Sequence, residues 1–305
     1  MLYSAKGGQL QRRKVNLAAI LFLLPALVML LFIYGFPLLF NLYISFTDWT
    51  GIGWNMNLIG PRHYLDIFTN PALTRVLTNN MKFLVGTLVL QNIFALWLST
   101  WLTEKFRSRN FFRSLLFMPA LMPVVAVAMI WGIILDPSGG PVISFAELVG
   151  WDWLANMRFL GNPQHVMNTL IMINVWQWTG WNMVIYLAGH QAIPQELYES
   201  GAIDGTSGWT KFRYITLPLL APSITTNVVL TTMGALTIYD LPFALTKGGP
   251  GNYSEVLTMT IVRNATTGSN AALAAAISIF LAAIIIGVTL VQNILLSRQE
   301  EAVRE

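Results

Sequence analysis

The chain has 305 residues, of which 55% are apolar and only 10% are charged. Because about a quarter of the residues in soluble domains are charged, this composition predicts a polytopic membrane protein. The net charge of +4 is too small and too dispersed to indicate nucleic-acid binding. The chain contains no cysteine, which excludes a disulfide framework and thiolate chemistry.

Six uncharged segments are each long enough to hold a membrane helix of about 20 residues. A charge near the centre of a bilayer is costly, so we expect the transmembrane helices within these segments. In chain order, the segments are 15–47, 83–103, 114–135, 159–195, 214–239 and 264–297. The first contains Pro25 and Pro37 and is too long for a cleaved signal peptide, so we expect it to be retained. The predicted fold class is an all-α membrane protein with six transmembrane helices.

The distribution of Lys and Arg predicts the orientation of these helices. If the N-terminus is cytoplasmic, twelve basic residues lie in the inner segments and six in the outer ones. The inner residues are Lys6, Arg12, Arg13, Lys14, Lys105, Arg107, Arg109, Arg113, Lys211, Arg213, Arg298 and Arg304. The outer residues are Arg62, Arg75, Lys82, Arg158, Lys247 and Arg263. Both termini are therefore predicted to be cytoplasmic, as is the segment between the fourth and fifth spans.

That segment, 193–218, contains charges and helix-breaking residues between two long apolar stretches. Pro194 is suited to the start of a short helix over 195–202, and Asp204-Gly205 is a turn dipeptide. Ser207 can cap a second short helix, 208–214, which we expect to end before Pro218 because a residue preceding proline avoids the α region. The pattern predicts a compact cytoplasmic helix-turn-helix.

Glu199-Ser200-Gly201, Gly205, Ile215, Leu217 and Pro218 have the spacing E-A-A-x3-G-x9-I-x-L-P. This spacing resembles the EAA loop of permease subunits of binding-protein-dependent ABC importers. The surrounding IPQELYES and FRYITLPLL resemble the carbohydrate branch, the maltose-type upstream permeases. The motif departs from the family at Ser200-Gly201, where two alanines are usual. Since glycine lowers helix propensity by about 1 kcal/mol, a looser first helix is expected.

The resemblance extends over nearly the whole chain, through stretches such as LIGPRHYLDIF and LTKGGPGN. It implies a single permease domain, 1–305, containing the coupling loop 193–218. It also implies a role in ATPase coupling for Glu199, Ser200, Gly201, Asp204, Gly205, Ile215, Leu217 and Pro218. Physically, the loop would insert a helical knob into a groove on an ATPase subunit. The alternative is that the acidic residues of this segment are ordinary solvated charges.

The chain has no G-x-x-x-x-G-K-[ST] phosphate loop, and its uncharged spans predict no proton or sodium relay. A transporter of this kind needs energy from a partner, so we expect ATP and magnesium to be bound by an ATPase and no cofactor in this chain. His63, His165 and His190 are far apart in sequence, so neither a metal site nor a catalytic site is predicted. The chain also has neither a nucleophile elbow nor paired carboxylates, so an enzyme is only weakly indicated.

Polar and aromatic residues in the fourth and fifth spans are the predicted substrate path. They are Gln177, Trp178, Asn182, Tyr186, Thr231, Thr232 and Tyr239. Neutral hydroxyl and amide groups beside aromatic faces suit a sugar, which has hydroxyls at its edge and C–H groups on its face. The equal alternative is hydrogen bonding between helices, at about 1 kcal/mol for each bond.

These features predict a transmembrane subunit of an ABC importer for a carbohydrate or polyol, in the lipid of a prokaryotic cytoplasmic membrane. The implied partners are a second permease, a cytoplasmic ATPase dimer and an external substrate-binding protein. The alternatives are an ATP-independent channel or facilitator for small neutral solutes and, more remotely, a membrane-embedded enzyme.

Overall fold

The structure is a computed structural model that describes residues 17–53, 55–104, 106–267 and 270–304. Lys6, Arg12, Arg13, Lys14 and Lys105, which contribute to the predicted orientation, lie outside the described residues. Within those residues all regular elements are helices, and the only β contact is an isolated antiparallel bridge between Thr47 and Leu58. The all-α prediction is confirmed for this part of the chain.

The described residues form sixteen α-helices. In chain order, they are α1 (Leu17–Leu30), α2 (Phe36–Ile44), α3 (Arg62–Thr69), α4 (Pro71–Thr103), α5 (Arg109–Phe117), α6 (Val124–Ile134), α7 (Pro141–Val149), α8 (Asp152–Ala155), α9 (Val166–Ala192), α10 (Gln195–Ile203), α11 (Gly208–Lys211), α12 (Leu217–Leu219), α13 (Ala221–Leu236), α14 (Asp240–Thr246), α15 (Leu257–Thr266) and α16 (Ala271–Arg304). Two π-helical segments, Leu31–Gly35 and Phe212–Thr216, join α1 to α2 and α11 to α12.

The centre of the fold is the pairing of α4 with α9, which is its most extensive helix contact. The α4 helix begins at a favourable cap, because Asn70 accepts a hydrogen bond from the Ala72 N–H at 2.9 Å and Pro71 occupies the first helical position. The α9 helix ends at Ala192, and the next residue, Ile193, has the extended backbone that the following Pro194 favours. These two helices position most of the candidate site.

Three described helices are long and apolar enough to cross a membrane: Leu21–Ile44, Pro71–Thr103 and Ala271–Leu296. They correspond to the first, second and sixth predicted spans. The α9 helix corresponds to the fourth and, with 27 residues, is about 40 Å long. It is not among the helices that are apolar enough to cross a membrane by composition, and its polar side chains are largely buried against α4 and α13.

The third predicted span is a pair of helical segments, Arg109–Leu121 and Val124–Ile134, bent by 99°. The break follows from Pro123, because the preceding Met122 takes an extended conformation and leaves the helix. A single straight helix over 114–135 is therefore not observed.

The fifth predicted span is also bent, by 69°, between Gly208–Leu219 and Ala221–Leu236. The prediction that the second short helix ends before Pro218 is wrong, since helical structure continues through that proline to Leu219. The π-helical segment Phe212–Thr216 lies directly before this stretch. A π-helical turn is wider than an α-helical one, and it rearranges the backbone hydrogen bonds next to the proline.

Within the described residues, therefore, three helices meet the length and composition of a span, or five segments if each bent pair makes one crossing. The number of six crossings stays a prediction. The segment Leu21–Ile44 packs little against the rest of the chain, and its many exposed apolar side chains require an apolar environment.

Candidate functional site

A cavity of about 490 Å³ lies between α4, α9, α13 and the start of α14. Five of the seven predicted substrate-path residues line it, namely Gln177, Trp178, Asn182, Thr231 and Tyr239. The α9 helix contributes three of them, of which Trp178 and Asn182 share a face at i and i+4, and α13 faces it across the space. The structure thus brings together in one place most of the residues chosen from the sequence.

The α4 helix supplies two further polar groups to this cavity, Thr87 and Gln91. They are not among the residues predicted from the sequence. The available signal was their spacing, since polar residues four positions apart in a helix lie on the same face. Both side chains are buried, at 1% and 4% exposure.

Three side-chain oxygens around the cavity have no hydrogen-bond partner among the described residues: Thr87 Oγ1, Gln91 Oε1 and Gln177 Oε1. A buried polar atom without a partner costs about 1–3 kcal/mol. These oxygens belong to residues that line the cavity, and buried oxygens without a partner are candidates for pairing with a ligand or with ordered water.

The Asn182 side chain is already engaged with the facing helix. Its Nδ2 donates to Thr231 Oγ1 at 2.8 Å, and its backbone oxygen accepts from Asn227 Nδ2 at 3.2 Å. Hydrogen bonding between helices, the alternative to substrate binding that the sequence allowed, is therefore present at this pair. Because both residues also line the cavity, the bond holds two polar groups in place at its wall.

Two predicted substrate-path residues lie outside this cavity. Tyr186 is buried in a separate core cluster with Met183 and Leu187, and its hydroxyl donates to Asn92 Oδ1 at 2.8 Å. Thr232 accepts a hydrogen bond from Gln292 Nε2 at 2.8 Å, which ties α13 to α16. Their polar groups are used in helix packing, because each finds its partner on a neighbouring helix.

The cavity has an aromatic side and a mostly neutral lining. Trp178, Trp181 and Tyr239 contribute rings, and Tyr239 stacks on Phe243 with ring centroids 5.1 Å apart. Among the described lining residues Asp240 is the only charged one. The cavity wall can therefore form hydrogen bonds through hydroxyl and amide groups beside aromatic faces.

The segment 193–218 forms the two short helices α10 and α11 with a tight turn between them. Gly205 adopts a φ of +76°, a left-handed conformation that glycine takes without steric cost. The turn is closed by the Thr206 N–H, which donates to the Gly201 carbonyl at 2.8 Å, while the Asp204 N–H donates to the Ser200 carbonyl at 3.1 Å. Ser207 occupies the N-cap position of α11, but its side chain makes no capping hydrogen bond.

Gly201 lies where α10 packs against the π-helical segment Phe212–Thr216. It is buried, and a Cβ built on it would lie 2.4 Å from Ile215 Cδ1 and 2.7 Å from Thr206 Oγ1. The glycine that was expected to loosen the helix is therefore the residue that permits tight packing of the segment.

The outer surface of this segment is apolar in several places. Ile203, Trp209 and Tyr214 are 88%, 73% and 74% exposed, and Glu199 is exposed with its carboxylate accepting from Gln195 Nε2 at 2.8 Å. Large exposed apolar side chains on an otherwise polar segment are candidates for contact with a protein partner. Leu217 and Pro218 are partly buried at the point where the chain turns towards α13.

A second cavity, of about 520 Å³, separates this segment from the ends of α4 and α9. Buried His190 lies at its wall, with Nε2 3.4 Å from Thr100 Oγ1. No group of three or more potential metal-ligating side chains occurs among the described residues.

Comparison with known proteins shows the family to which the chain belongs. The chain is 32% identical over 274 residues to YurN of Bacillus subtilis (strain 168), described as a probable ABC transporter permease, covering 89% of this chain and 93% of the relative. It is 30% identical over 284 residues to AmyD of Thermoanaerobacterium thermosulfurigenes, described as a probable permease of a transport system for starch degradation products, covering 92% and 94%.

The fold is similar to a chain of the crystal structure of a bacterial ABC transporter that imports the acidic polysaccharide alginate. The TM-score is 0.79 at 24% identity, covering 92% of this chain and 95% of the other. The family model described as "binding-protein-dependent transport system inner membrane component" matches residues 91–304. The chain therefore belongs to this family of inner-membrane transport components, the ABC importer permeases, which transport solutes without an ATP-binding site of their own.

Proposed function

We propose that this protein forms half of the translocation path of an ABC importer for a neutral carbohydrate or polyol. A second permease subunit would supply the other half, and a cytoplasmic ATPase dimer would bind ATP and magnesium and drive transport. An external substrate-binding protein would deliver the sugar. The sugar systems named for relatives such as AmyD support the substrate class.

The observation that carries the proposal is the neutral polar cavity beside α4 and α9. Thr87, Gln91 and Gln177 line it with oxygens that have no partner, and a rotation of these side chains would present the oxygens to sugar hydroxyls. Trp178 and Tyr239 offer aromatic faces for the C–H side of a sugar ring. With a volume of about 490 Å³ the cavity has the size of a small-molecule site.

The segment 193–218 would be the coupling element. Its exposed Ile203 and Trp209 would insert into a groove on the ATPase, and Glu199 would lie at the rim of the contact. ATPase closure would then move the segment and, through α13, the wall of the cavity. This is alternating access, in which the ATPase contact and the cavity are coupled because both change between two global states of the transporter.

The proposed topology has six crossings, with both termini and the coupling segment in the cytoplasm. The excess of Lys and Arg in the segments assigned to the cytoplasm supports it. In this arrangement α14, whose first residues line the cavity, lies on the external side, and the coupling segment follows the cytoplasmic end of α9.

The test is reconstitution of the complete complex in proteoliposomes, with its ATPase, second permease and binding protein. Radiolabelled neutral sugars should enter only when both ATP and the binding protein are present. Uptake by this chain without an ATPase would favour a facilitator and contradict the proposal. A double substitution, Ile203→Ser with Trp209→Ser, should leave the complex inserted while detaching the ATPase, as measured by co-purification.

A further inference from the structure

A cluster of basic residues lies between the end of α4 and the middle of α5. The stretch 104–113 contains four of them, Lys105, Arg107, Arg109 and Arg113, and a single acidic residue, Glu104. The structure describes the three arginines, and none of them forms an ion pair with a carboxylate of the described residues. Their positive charge is therefore available to an anion from outside the chain.

Two of these arginines line a cavity of about 430 Å³, which we call the basic pocket: Phe106, Arg107, Arg109 and Asn110. A guanidinium group is planar, and its parallel N–H donors match the oxygens of a phosphate. The Asn110 amide adds a further donor at the same wall. The lining of the basic pocket is therefore suited to a phosphate group.

An apolar groove of about 490 Å³ lies beside the other end of α5, between α4 and α9. Its walls include Phe94, Leu98, Leu115, Leu116, Met172 and Trp176. Thr179 supplies the only hydroxyl among the described lining residues, and this hydroxyl donates to the Val175 backbone oxygen at 2.6 Å. Leu115 and Met172 are 46% and 53% exposed, so the groove is accessible from the surface. Its chemistry suits a hydrocarbon chain.

Trp101, near the end of α4, relates the two features to the depth of the membrane. Tryptophan is enriched at the boundary between the hydrocarbon core and the headgroups. The Trp101 ring packs on Phe106 of the basic pocket, with ring centroids 5.0 Å apart. Leu98 and Phe94 precede Trp101 by three and seven residues, or about 5 and 10 Å along the helix axis. The groove therefore lies on the hydrocarbon side of the basic pocket.

We infer that the basic pocket and the groove together bind one anionic phospholipid. Its phosphate would lie against Arg107 and Arg109, and one acyl chain would enter the groove. Basic pockets at the membrane boundary recognise anionic headgroups, whereas a zwitterionic headgroup brings an ammonium of its own. A helix of the second permease could fill the groove, but it would leave the guanidinium groups without an anion. The charge therefore favours lipid as the occupant.

The lipid site and the sugar cavity share one stretch of α9. Trp176 and Thr179 line the groove, whereas Gln177 and Trp178 line the cavity. Met122, which also lines the groove, accepts a hydrogen bond from Gln177 Nε2 at 3.2 Å through its backbone oxygen. A bound acyl chain would therefore support the part of α9 that carries candidate sugar-binding groups, and the lipid should raise the melting temperature.

The experiment uses the complete transporter, delipidated in neutral detergent and titrated with dioleoyl phosphatidylglycerol or, in parallel, dioleoyl phosphatidylcholine. Native mass spectrometry counts the lipids retained by each complex, and the melting temperature is measured at each step. Arg107→Gln combined with Arg109→Gln should weaken retention of phosphatidylglycerol at least about tenfold and leave that of phosphatidylcholine unchanged. Arg213→Gln is the matched control, an exposed arginine that lines neither feature.

Leu115→Trp tests the groove without changing any charge, because the larger side chain would occupy the space of the acyl chain. It should reduce retention of phosphatidylglycerol, whereas Leu121→Trp, at an exposed position that does not line the groove, should not. A benzophenone maleimide attached to Leu115→Cys should cross-link to lipid, and the chain has no other cysteine to react.

Three results would overturn the inference. Equal retention of both lipids by the wild type would show only non-specific annular lipid. If the wild type prefers phosphatidylglycerol but the double arginine variant equals Arg213→Gln, the phosphate does not bind in the basic pocket. Cross-linking of Leu115→Cys to the second permease would assign the groove to that subunit.

Discussion

The side chain of Ile215 occupies the space that a β-carbon would take at Gly201. The two residues belong to different helices of the coupling segment, and a Cβ at position 201 would stand 2.4 Å from Ile215 Cδ1. The hydrogen bond from the Thr206 N–H to the Gly201 carbonyl closes the turn between the helices. A methyl group at position 201 would therefore require the Ile215 side chain to shift.

Gly201→Ala should destabilise the coupling segment even though alanine is the better helix former. The gain in helix propensity is about 1 kcal/mol, and overpacking costs about 1–3 kcal/mol. We expect reduced binding-protein-stimulated ATP hydrolysis. Adding Ile215→Val should restore part of it, because the smaller side chain gives room for the new methyl group.

The control for this pair is Ser200→Ala, an exposed neighbour on the same helix that should be nearly neutral. A double-mutant cycle on stimulated hydrolysis measures the interaction between positions 201 and 215. Additive effects would contradict the packing account.

Much of the fold was predictable from hydrophobicity and charge. Long uncharged stretches located the segments that form α1–α2, α4, α9 and α16, because burying a charge in a bilayer is costly. The bends were not predicted. Pro123 does break its helix. Pro218 lies within a helical stretch, because the adjacent π-helical turn changes the backbone hydrogen bonding on which the expected helix end was based.

The candidate site was predictable where polar residues were conspicuous on one helix. Asn182 and Thr231 were chosen from separate spans, and the structure joins them in one hydrogen bond. Gln91 and Thr87 were missed because only tertiary packing shows that the α4 face carrying them closes the cavity. Tyr186 was chosen by chemistry alone, and its partner Asn92 could not be inferred from chain position.

Gly205→Val should damage the turn of the coupling segment through the backbone alone. A Cβ at this position would meet no atom within 4 Å, so the effect comes from its φ of +76°, where a side chain costs about 1–2 kcal/mol. Stimulated ATP hydrolysis should fall while membrane insertion persists. Gly205→Asn should retain most activity, since asparagine adopts this conformation more readily. If the two variants were equally active, the backbone conformation of this turn would have no role in coupling.

Gln91→Leu should impair sugar uptake without harming the protein. Replacing a buried, unpaired amide oxygen by an apolar group of similar size is neutral or stabilising for folding. A sugar that used this oxygen would lose a hydrogen bond, so we expect an increase of about tenfold in the half-saturating concentration. The readouts are uptake in proteoliposomes and the melting temperature of the complex.

Thr232→Val is the matched control for the cavity, because Thr232 is equally buried but pairs with Gln292 outside it. This variant should lower the melting temperature and leave uptake near normal. If Gln91→Leu changed uptake no more than Thr232→Val, the sugar would not contact this wall.

Asn182→Ala should lower sugar uptake more than Thr231→Val does. Both changes break the 2.8 Å bond between α9 and α13, but the Asn182 amide has further donor and acceptor capacity at the cavity wall. We expect a loss of about 1–3 kcal/mol in substrate interaction, with assembly and basal ATP hydrolysis near normal. If the two single variants and the double variant are equally impaired, the pair acts only in helix packing.

The topology can be tested cleanly because the chain has no cysteine of its own. Thr50→Cys, Asn156→Cys and Ser207→Cys each place a single thiol at an exposed position, so labelling reports the side of the membrane rather than burial. A membrane-impermeant maleimide applied to intact cells should label the first two. The third should react only after permeabilisation, since the charge distribution places the coupling segment in the cytoplasm. Labelling of Ser207→Cys from outside would overturn the topology and, with it, the contact between segment 193–218 and a cytoplasmic ATPase.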